Sequence, residues 1–460
     1  MNKSNFMASA ENMKDQLGPS LCLAKWQQVS LHLPTGLNNS CYHPPLHKID
    51  AAAVKTDPGA LHNTEHKKQQ RVIMLKDERP AECSYCWSAE DNGQLSDRHY
   101  RSGEPWAAEH FDRIKNSTGE EDVVPSYVEV NFNHACNLRC SYCSPQFSSS
   151  WADEVARHGA YPTLVPHNAP EHFAGDRRPI PAREHNPYVE AFWEWWPRLY
   201  PKLKHFRMTG GEPLMDRNTY RVFDYVLAMP NPELHLDVTS NFSVDYKIYA
   251  QYHDYVKRLC NSNIEHFMQY VSLDSGIPAQ AEYIRDGLRH WRVQDHVNRF
   301  LDDIPYRNSL TFIVTMNNLN VTGVQKLLEW ILDLRKSYSK TYQRVWFDTP
   351  LLRTPTWQSL QILPAVYADR LSDVADWMAA NAETPEQPFQ GFKDYEVQRM
   401  RRNVDWMRQG RNLDADYVKL QRADFYRFFN AHDERRETEF NATFPEMKEF
   451  WIECRYHAQN

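Results

Sequence analysis

The sequence predicts an α/β fold in which strands and helices alternate as parallel βα units, and three observations carry that prediction. From Tyr127 onward, short segments that alternate apolar and polar residues, such as "YVEVNF", recur between longer stretches with helical spacing. The chain has 460 residues, 41% hydrophobic and 25% charged, which is ordinary globular usage and enough for two or three domains with buried cores. Aromatic residues reach 13%, which favours broad packed surfaces or a large cavity over low complexity.

The elements follow in order. Residues 1–122 lack strong periodicity and carry turn-forming groups ("LPTGLNNSCYHPP", "KTDPGALHNTEHK"), so a small loop-rich domain held by a metal is expected. "YVEVNF" is the first strand of the α/β part, and "YVEAFWEWWPRLYPKLK" is a helix with an aromatic packing face. "HFRMTGGEP" reads as a strand and tight turn, "NTYRVFDYVLAMP" as a helix, and "ELHLDVTSN", "HFMQYVSLDS" and "LTFIVTMNN" as strands. Helical segments are expected around Tyr283 to Phe300 and Val321 to Tyr338, with "RVWFDTPLL" as the last strand. A proline-rich stretch from Tyr161 to Tyr188 reads either as a lid or as a solvated insertion, and "ETPEQPFQGF" marks a boundary before charged, aromatic helices from Asp394 to Tyr456. The division expected is 1–122, 123–360 and 361–460.

The net charge of -7 argues against a nucleic-acid footprint. With no apolar h-region and no run of 18 apolar residues, a cytoplasmic protein without signal peptide or membrane span is expected. In that compartment nine cysteines are better read as metal ligands or redox groups than as disulfides. Cys260 and Cys454 stand alone and read as buried structural thiols.

The most informative stretch is "HACNLRCSYCSP", in which Cys136, Cys140 and Cys143 form CxxxCxxC with no fourth cysteine nearby. Structural zinc takes four protein ligands, whereas three thiolates within eight residues suit three irons of a cubane cluster and leave the fourth iron open. Downstream, "TGGEP" (Thr209 to Pro213) follows another strand, and its paired glycines let the backbone approach a ligand closely.

These residues resemble the radical S-adenosylmethionine (SAM) superfamily. Cys136, Cys140 and Cys143 match its cluster motif, Tyr142 the aromatic residue before the third cysteine, and Gly210, Gly211, Glu212 and Pro213 its glycine-rich motif. The resemblance covers about Val124 to Leu352 and implies a partial (β/α)6 TIM-type barrel. It implies a [4Fe-4S] cluster whose open iron is chelated by SAM, with one-electron cleavage to a 5′-deoxyadenosyl radical that abstracts hydrogen from a substrate. It further implies SAM contacts from "TSN" (Thr239, Ser240, Asn241) and Ser272, with Asp274 toward the substrate, and an electron donor such as flavodoxin or ferredoxin.

Upstream, Cys22, Cys41, Cys83 and Cys86, with Gly36 in the first interval, resemble the first half of the SPASM or twitch pattern, which binds an auxiliary iron–sulfur cluster. In that family the auxiliary domain normally follows the barrel; here it precedes it. Structural zinc on the same four thiols is the alternative. His43 and His47 are candidate replacement ligands or capping groups, and Glu90, Gly93, Ser96 and Arg98 either surround the site or form an exposed turn. The expected function is radical modification of a peptide or protein, against a small metabolite or cofactor precursor, or a non-catalytic zinc- or cluster-stabilised binding protein.

Overall fold

Alternation of buried apolar and polar residues gives short strands in the computed structural model, which describes residues 3–460. The strands are β1 (Gln28–His32), β2 (Leu37–Asn39), β3 (His47–Lys48), β4 (Tyr127–Asn131), β5 (Arg139–Cys140) and β6 (His205–Thr209). They continue with β7 (His235–Ser240), β8 (His266–Ser272), β9 (Arg285–Asp286), β10 (Ser309–Ile313) and β11 (Val345–Asp348). The chain divides into two units. One holds the residues up to His134, Arg178–Val238 and Asn263–His266; the other holds Ala135–Arg177, Thr239–Ser262 and Phe267–Asn460.

In the first unit β7, β6, β4 and β1 lie parallel in that order, followed by antiparallel β2 and β3. One face is apolar: Val29, Leu31, Val128, Val130, Phe206, Met208, Leu236 and Val238 are buried. The helix Pro187–Leu199 covers it, with Trp196 edge-on to Phe206 at 4.9 Å between ring centres. Asn186 starts that helix, its side-chain oxygen accepting from the amides of Tyr188 and Val189.

The loop-rich reading of residues 1–122 is corrected by helices at Lys3–Leu17, Ala51–Thr56, Glu65–Leu75, Ser84–Asp91 and Asp97–Gly103. The helix Glu65–Leu75 escaped notice because its buried stripe is basic. Lys67 is fully buried with Nζ donating to the Gln28 carbonyl at 2.7 Å, and buried Arg71 donates to Asn63 at 3.1 Å. The same N-terminal segment supplies β1, which runs parallel to β4 over its whole length.

In the second unit β8, β10 and β11 are parallel neighbours, and β5 pairs antiparallel with β9. The helix expected from Tyr283 to Phe300 is two helices, Pro278–Ile284 and His290–Asp303, separated by β9 and by Gly287 at φ +96°. Four long helices, Ala365–Ala380, Asp394–Gln409, Ala415–Arg436 and Lys448–Gln459, occupy the C-terminal region. The buried pair Arg335 and Glu396, bonded at 2.7 and 2.9 Å, ties Asp394–Gln409 to the helix Val324–Tyr338. Among the described residues no helix is long and apolar enough to cross a membrane.

Candidate functional site

The cysteine loop of the second unit leads from Ala135 to the helix Ser149–His158, and its backbone is held by side chains, while Cys136 Sγ accepts from the Leu138 amide at 3.4 Å. Ser149 accepts from the Cys136 amide and Ser150 donates to the Cys136 carbonyl; Trp151 donates to the Cys140 carbonyl, and Asn168 to that of Cys143. Cys140 is buried, and Cys136 and Cys143 are half-buried. Burial, then the neighbouring Cys140, pushes the Cys143 thiol up to about 12. A cation or cluster there must displace these protons.

Beside Cys140 stands a group that the sequence did not reveal. The β5–β9 register sets Cys140 opposite Arg285, whose guanidinium donates to Cys140 Sγ at 3.5 Å. Its other donors meet Asp274 at 2.8 and 3.3 Å and the Tyr142 hydroxyl at 2.5 Å, and Tyr142 donates to Asp274 at 2.7 Å. Asp274 is fully buried and also accepts from the Thr315 amide, so both its oxygens are engaged. The buried carboxylate and guanidinium form a two-point ion pair. Nothing local marks Arg285, which lies 145 residues from Cys140.

Asn241 is tied to the same loop: its amide donates to Asn137 at 2.8 Å and its oxygen accepts from the Ser243 amide. Ser240 is buried and accepts from the amide of Phe242, which sits at φ +57°. Ser272 is half-buried at the end of β8.

In the first unit, "GGEP" follows β6. Gly210 has φ +77° and Gly211 φ +42°, and a Cβ on Gly210 would stand 2.0 Å from the Asn131 side chain. Only glycine serves there. Glu212 is buried and its carboxylate accepts from the Leu214 amide, with Pro213 opening the following turn. Asn133 donates to Asp216, which caps the helix Arg217–Ala228.

The four upstream cysteines come together. Cys22, Cys41, Cys83 and Cys86 line one cavity of about 30 Å³, more than the roughly 10–15 Å³ that a single water needs. Lys25, Arg98, Arg101 and His43 share the lining. Burial raises the Cys83 and Cys86 thiols to about 12 and Cys41 to about 11. Fully buried Lys25 pairs with Glu82, which also holds His66 at 2.6 Å. Arg98 forms a two-point pair with Glu90 at 2.7 and 2.9 Å, Ser96 donates to Glu90, and Arg98 reaches the Leu21 carbonyl beside Cys22. Gly93 sits at φ +74° in an open turn. His47 bonds Thr64 instead of facing the cavity. Cys260 and Cys454 are buried.

Among the described residues no three His, Cys, Asp or Glu side chains close on one ion-sized point. A single zinc at about 2.3 Å from each sulfur draws the sulfurs to about 3.8 Å apart; thiolates of a cubane each meet a different iron and stand around a space. The upstream thiols line one cavity together, a four-sulfur donor set of the kind that both zinc and a cluster take.

No protein-family model matches the chain, and no curated protein matches it. Two crystal structures of SuiB from Streptococcus suis are similar in part. The one bound to precursor peptide SuiA is 12% identical, matched over 68% of this chain and 62% of that one with a TM-score of 0.33. The one bound to S-adenosylmethionine is 10% identical, matched over 77% and 67% with a TM-score of 0.34. Likeness of this size fixes neither the family nor the substrate.

Proposed function

We propose that this chain is a radical SAM enzyme that modifies a peptide or protein side chain. The observation that carries the reading is the pairing of motifs: CxxxCxxC follows β4 in the chain, "GGEP" follows β6, and these two strands are parallel neighbours. Parallel α/β folds use the carboxyl ends of such strands for ligands. A [4Fe-4S] cluster with SAM at its open iron supplies one-electron cleavage of a sulfonium and hydrogen-atom abstraction.

The chain's own residues do the rest. Cys136, Cys140 and Cys143 hold the cluster as thiolates, and Arg285 donates to Cys140, a charge-assisted contact that favours the thiolate. Asp274 and Tyr142 keep that guanidinium in place. Gly210 and Gly211 leave the backbone open to SAM, with Glu212, Ser240, Asn241 and Ser272 as polar contacts. Cys22, Cys41, Cys83 and Cys86 hold an auxiliary cluster, where Lys25, Arg98 and Arg101 offset its negative charge. A flavodoxin or ferredoxin delivers the electron.

The test is anaerobic reconstitution, with iron counted and 5′-deoxyadenosine measured after reduction with SAM. The reading expects about eight irons per chain, product above background, and loss of product in Cys136→Ala. Background product in the reconstituted wild type would sink it.

A further inference from the structure

The face of the first unit's sheet opposite its apolar side is polar in every row. The registers set Gln28, Tyr127, His205 and His235 side by side in one row and Ser30, Glu129, Arg207 and Asp237 in the next. A sheet face washed by solvent often looks like this, but here much of it is buried. Gln28 is 0%, Ser30 3%, Tyr127 5% and Asp237 5% exposed. Glu129 and Arg207, at 13% and 18%, keep the middle of the row open to solvent.

Two further observations mark this buried polar face as unsatisfied. Ser30 Oγ, both polar atoms of the Gln28 amide and Asn131 Oδ1 are buried with no hydrogen-bond partner, although native interiors satisfy nearly all such groups. Asn131 is 2% exposed and shares the face, one row beyond Glu129. Once Asp237 is ionised, the charges also fail to balance. Glu129 and Arg207 face each other at 3.6 Å, and Arg101, which stacks over Tyr127, is paired with Glu104 at 2.9 Å. Asp237 has neither hydrogen bond nor ion pair among the described residues and feels Arg207 only through its field. The imidazoles of His205 and His235, stacked at 4.4 Å, are held neutral by burial and give it no counter-charge.

We infer that the row Ser30, Glu129, Arg207 and Asp237 is a binding site for a cationic group, an alkylammonium or guanidinium, whose positive charge pairs with Asp237. Its free donors meet Ser30 and Glu129, and its aliphatic stem lies along Tyr127. This rests on the proposed enzyme reading for its meaning, as the subsite that receives a lysine- or arginine-like side chain of the substrate. Tyr42 joins this site to the upstream cavity: its hydroxyl meets Glu129 at 3.2 Å and Tyr127 at 3.0 Å, and Tyr42 also lines the four-cysteine cavity. Tyr42 is therefore common to the row and to the four-cysteine cavity.

The test is calorimetric titration of the anaerobically purified full-length chain, without SAM or reductant, using n-butylammonium and ethylguanidinium as probes and butyrate as the control. At least one cation should bind saturably at one site and butyrate should not. Asp237→Asn, which keeps the side-chain shape, should weaken binding roughly tenfold or more, as expected for loss of a buried charge-assisted contact, while Asp237→Glu retains most of it. Equal affinity in Asp237→Asn, no saturable cation binding, or preferential butyrate binding overturns the inference. Because the measurement needs no SAM chemistry, a chain that cleaves SAM and fails here refutes the subsite alone, and a chain that binds the cation and forms no 5′-deoxyadenosine refutes the enzyme reading alone.

Discussion

Asp237→Asn also makes a prediction about stability that follows from the same geometry. Burial holds the Asp237 carboxyl up at about 7, against an ordinary 3.8, with Arg207 pulling down and Glu129 pushing up. A carboxyl raised by folding is protonated in the folded chain at pH values where the unfolded chain has lost that proton. Stability therefore falls as pH rises from about 4 to about 7, by about 1.36 kcal/mol per pH unit, and above that window the full penalty persists. The penalty amounts to at most about 4 kcal/mol for this side chain, Arg207's attraction already included. Asparagine has the shape without the charge. The variant should match the wild type near pH 4 and exceed it near pH 8 by a few kcal/mol, measured by urea denaturation followed through tryptophan fluorescence under anaerobic conditions. A gain that is the same at both pH values, or a variant less stable than wild type near pH 8, refutes the claim that this carboxylate is buried without a partner. The stored penalty is what a cationic ligand would relieve, and sites that bind tightly commonly carry such local cost.

Three further outcomes are expected. Arg285→Met leaves Asp274 buried and unpaired and should destabilise the chain by about 3–5 kcal/mol; Arg285→Lys should retain more stability yet shift the reduction potential of the cluster at Cys140, read by EPR-monitored titration. Gly210→Ala sets a Cβ against Asn131 at positive φ and should cost about 1–3 kcal/mol, with SAM affinity falling in equilibrium binding. Cys83→Ala and Cys86→Ala should each lower iron by about four per chain with zinc unchanged, and iron retained beside lost zinc would assign the upstream thiols to zinc instead.

Strand order in the α/β part was legible because alternation is a local signal: β4, β6, β7 and β10 each carry apolar residues at every second position and β8 does so except at Gln269, and the structure has strands at all five. β1 has the same pattern, Val29 and Leu31 against Gln28, Ser30 and His32, yet sits in a segment whose turn-rich neighbours hid it. The helix Glu65–Leu75 was illegible for a different reason. Two of its three inward side chains are Lys67 and Arg71, beside Met74, and a buried base satisfied by backbone carbonyls has the hydropathy of a surface. At the candidate site, residue type and spacing pointed to the seven motif cysteines, and the upstream four do line one cavity. Arg285 was out of reach because its meaning depends on β5 pairing with β9, a contact between two-residue strands far apart in sequence. The expectation that Asp274 faces the substrate came from its place after a strand; its side chain is instead enclosed by Arg285, Tyr142 and Thr315.

The central claim is that Cys136, Cys140 and Cys143 hold a cluster with one open iron for SAM. The most direct measurement is the EPR spectrum of the reduced, reconstituted chain with and without SAM, in the wild type and in Cys136→Ala/Cys140→Ala/Cys143→Ala. The account predicts a SAM-dependent change in the wild-type cluster signal and, in the variant, a remaining upstream signal that SAM leaves unaltered. A wild-type spectrum indifferent to SAM, or a variant that still responds to it, would contradict the assignment.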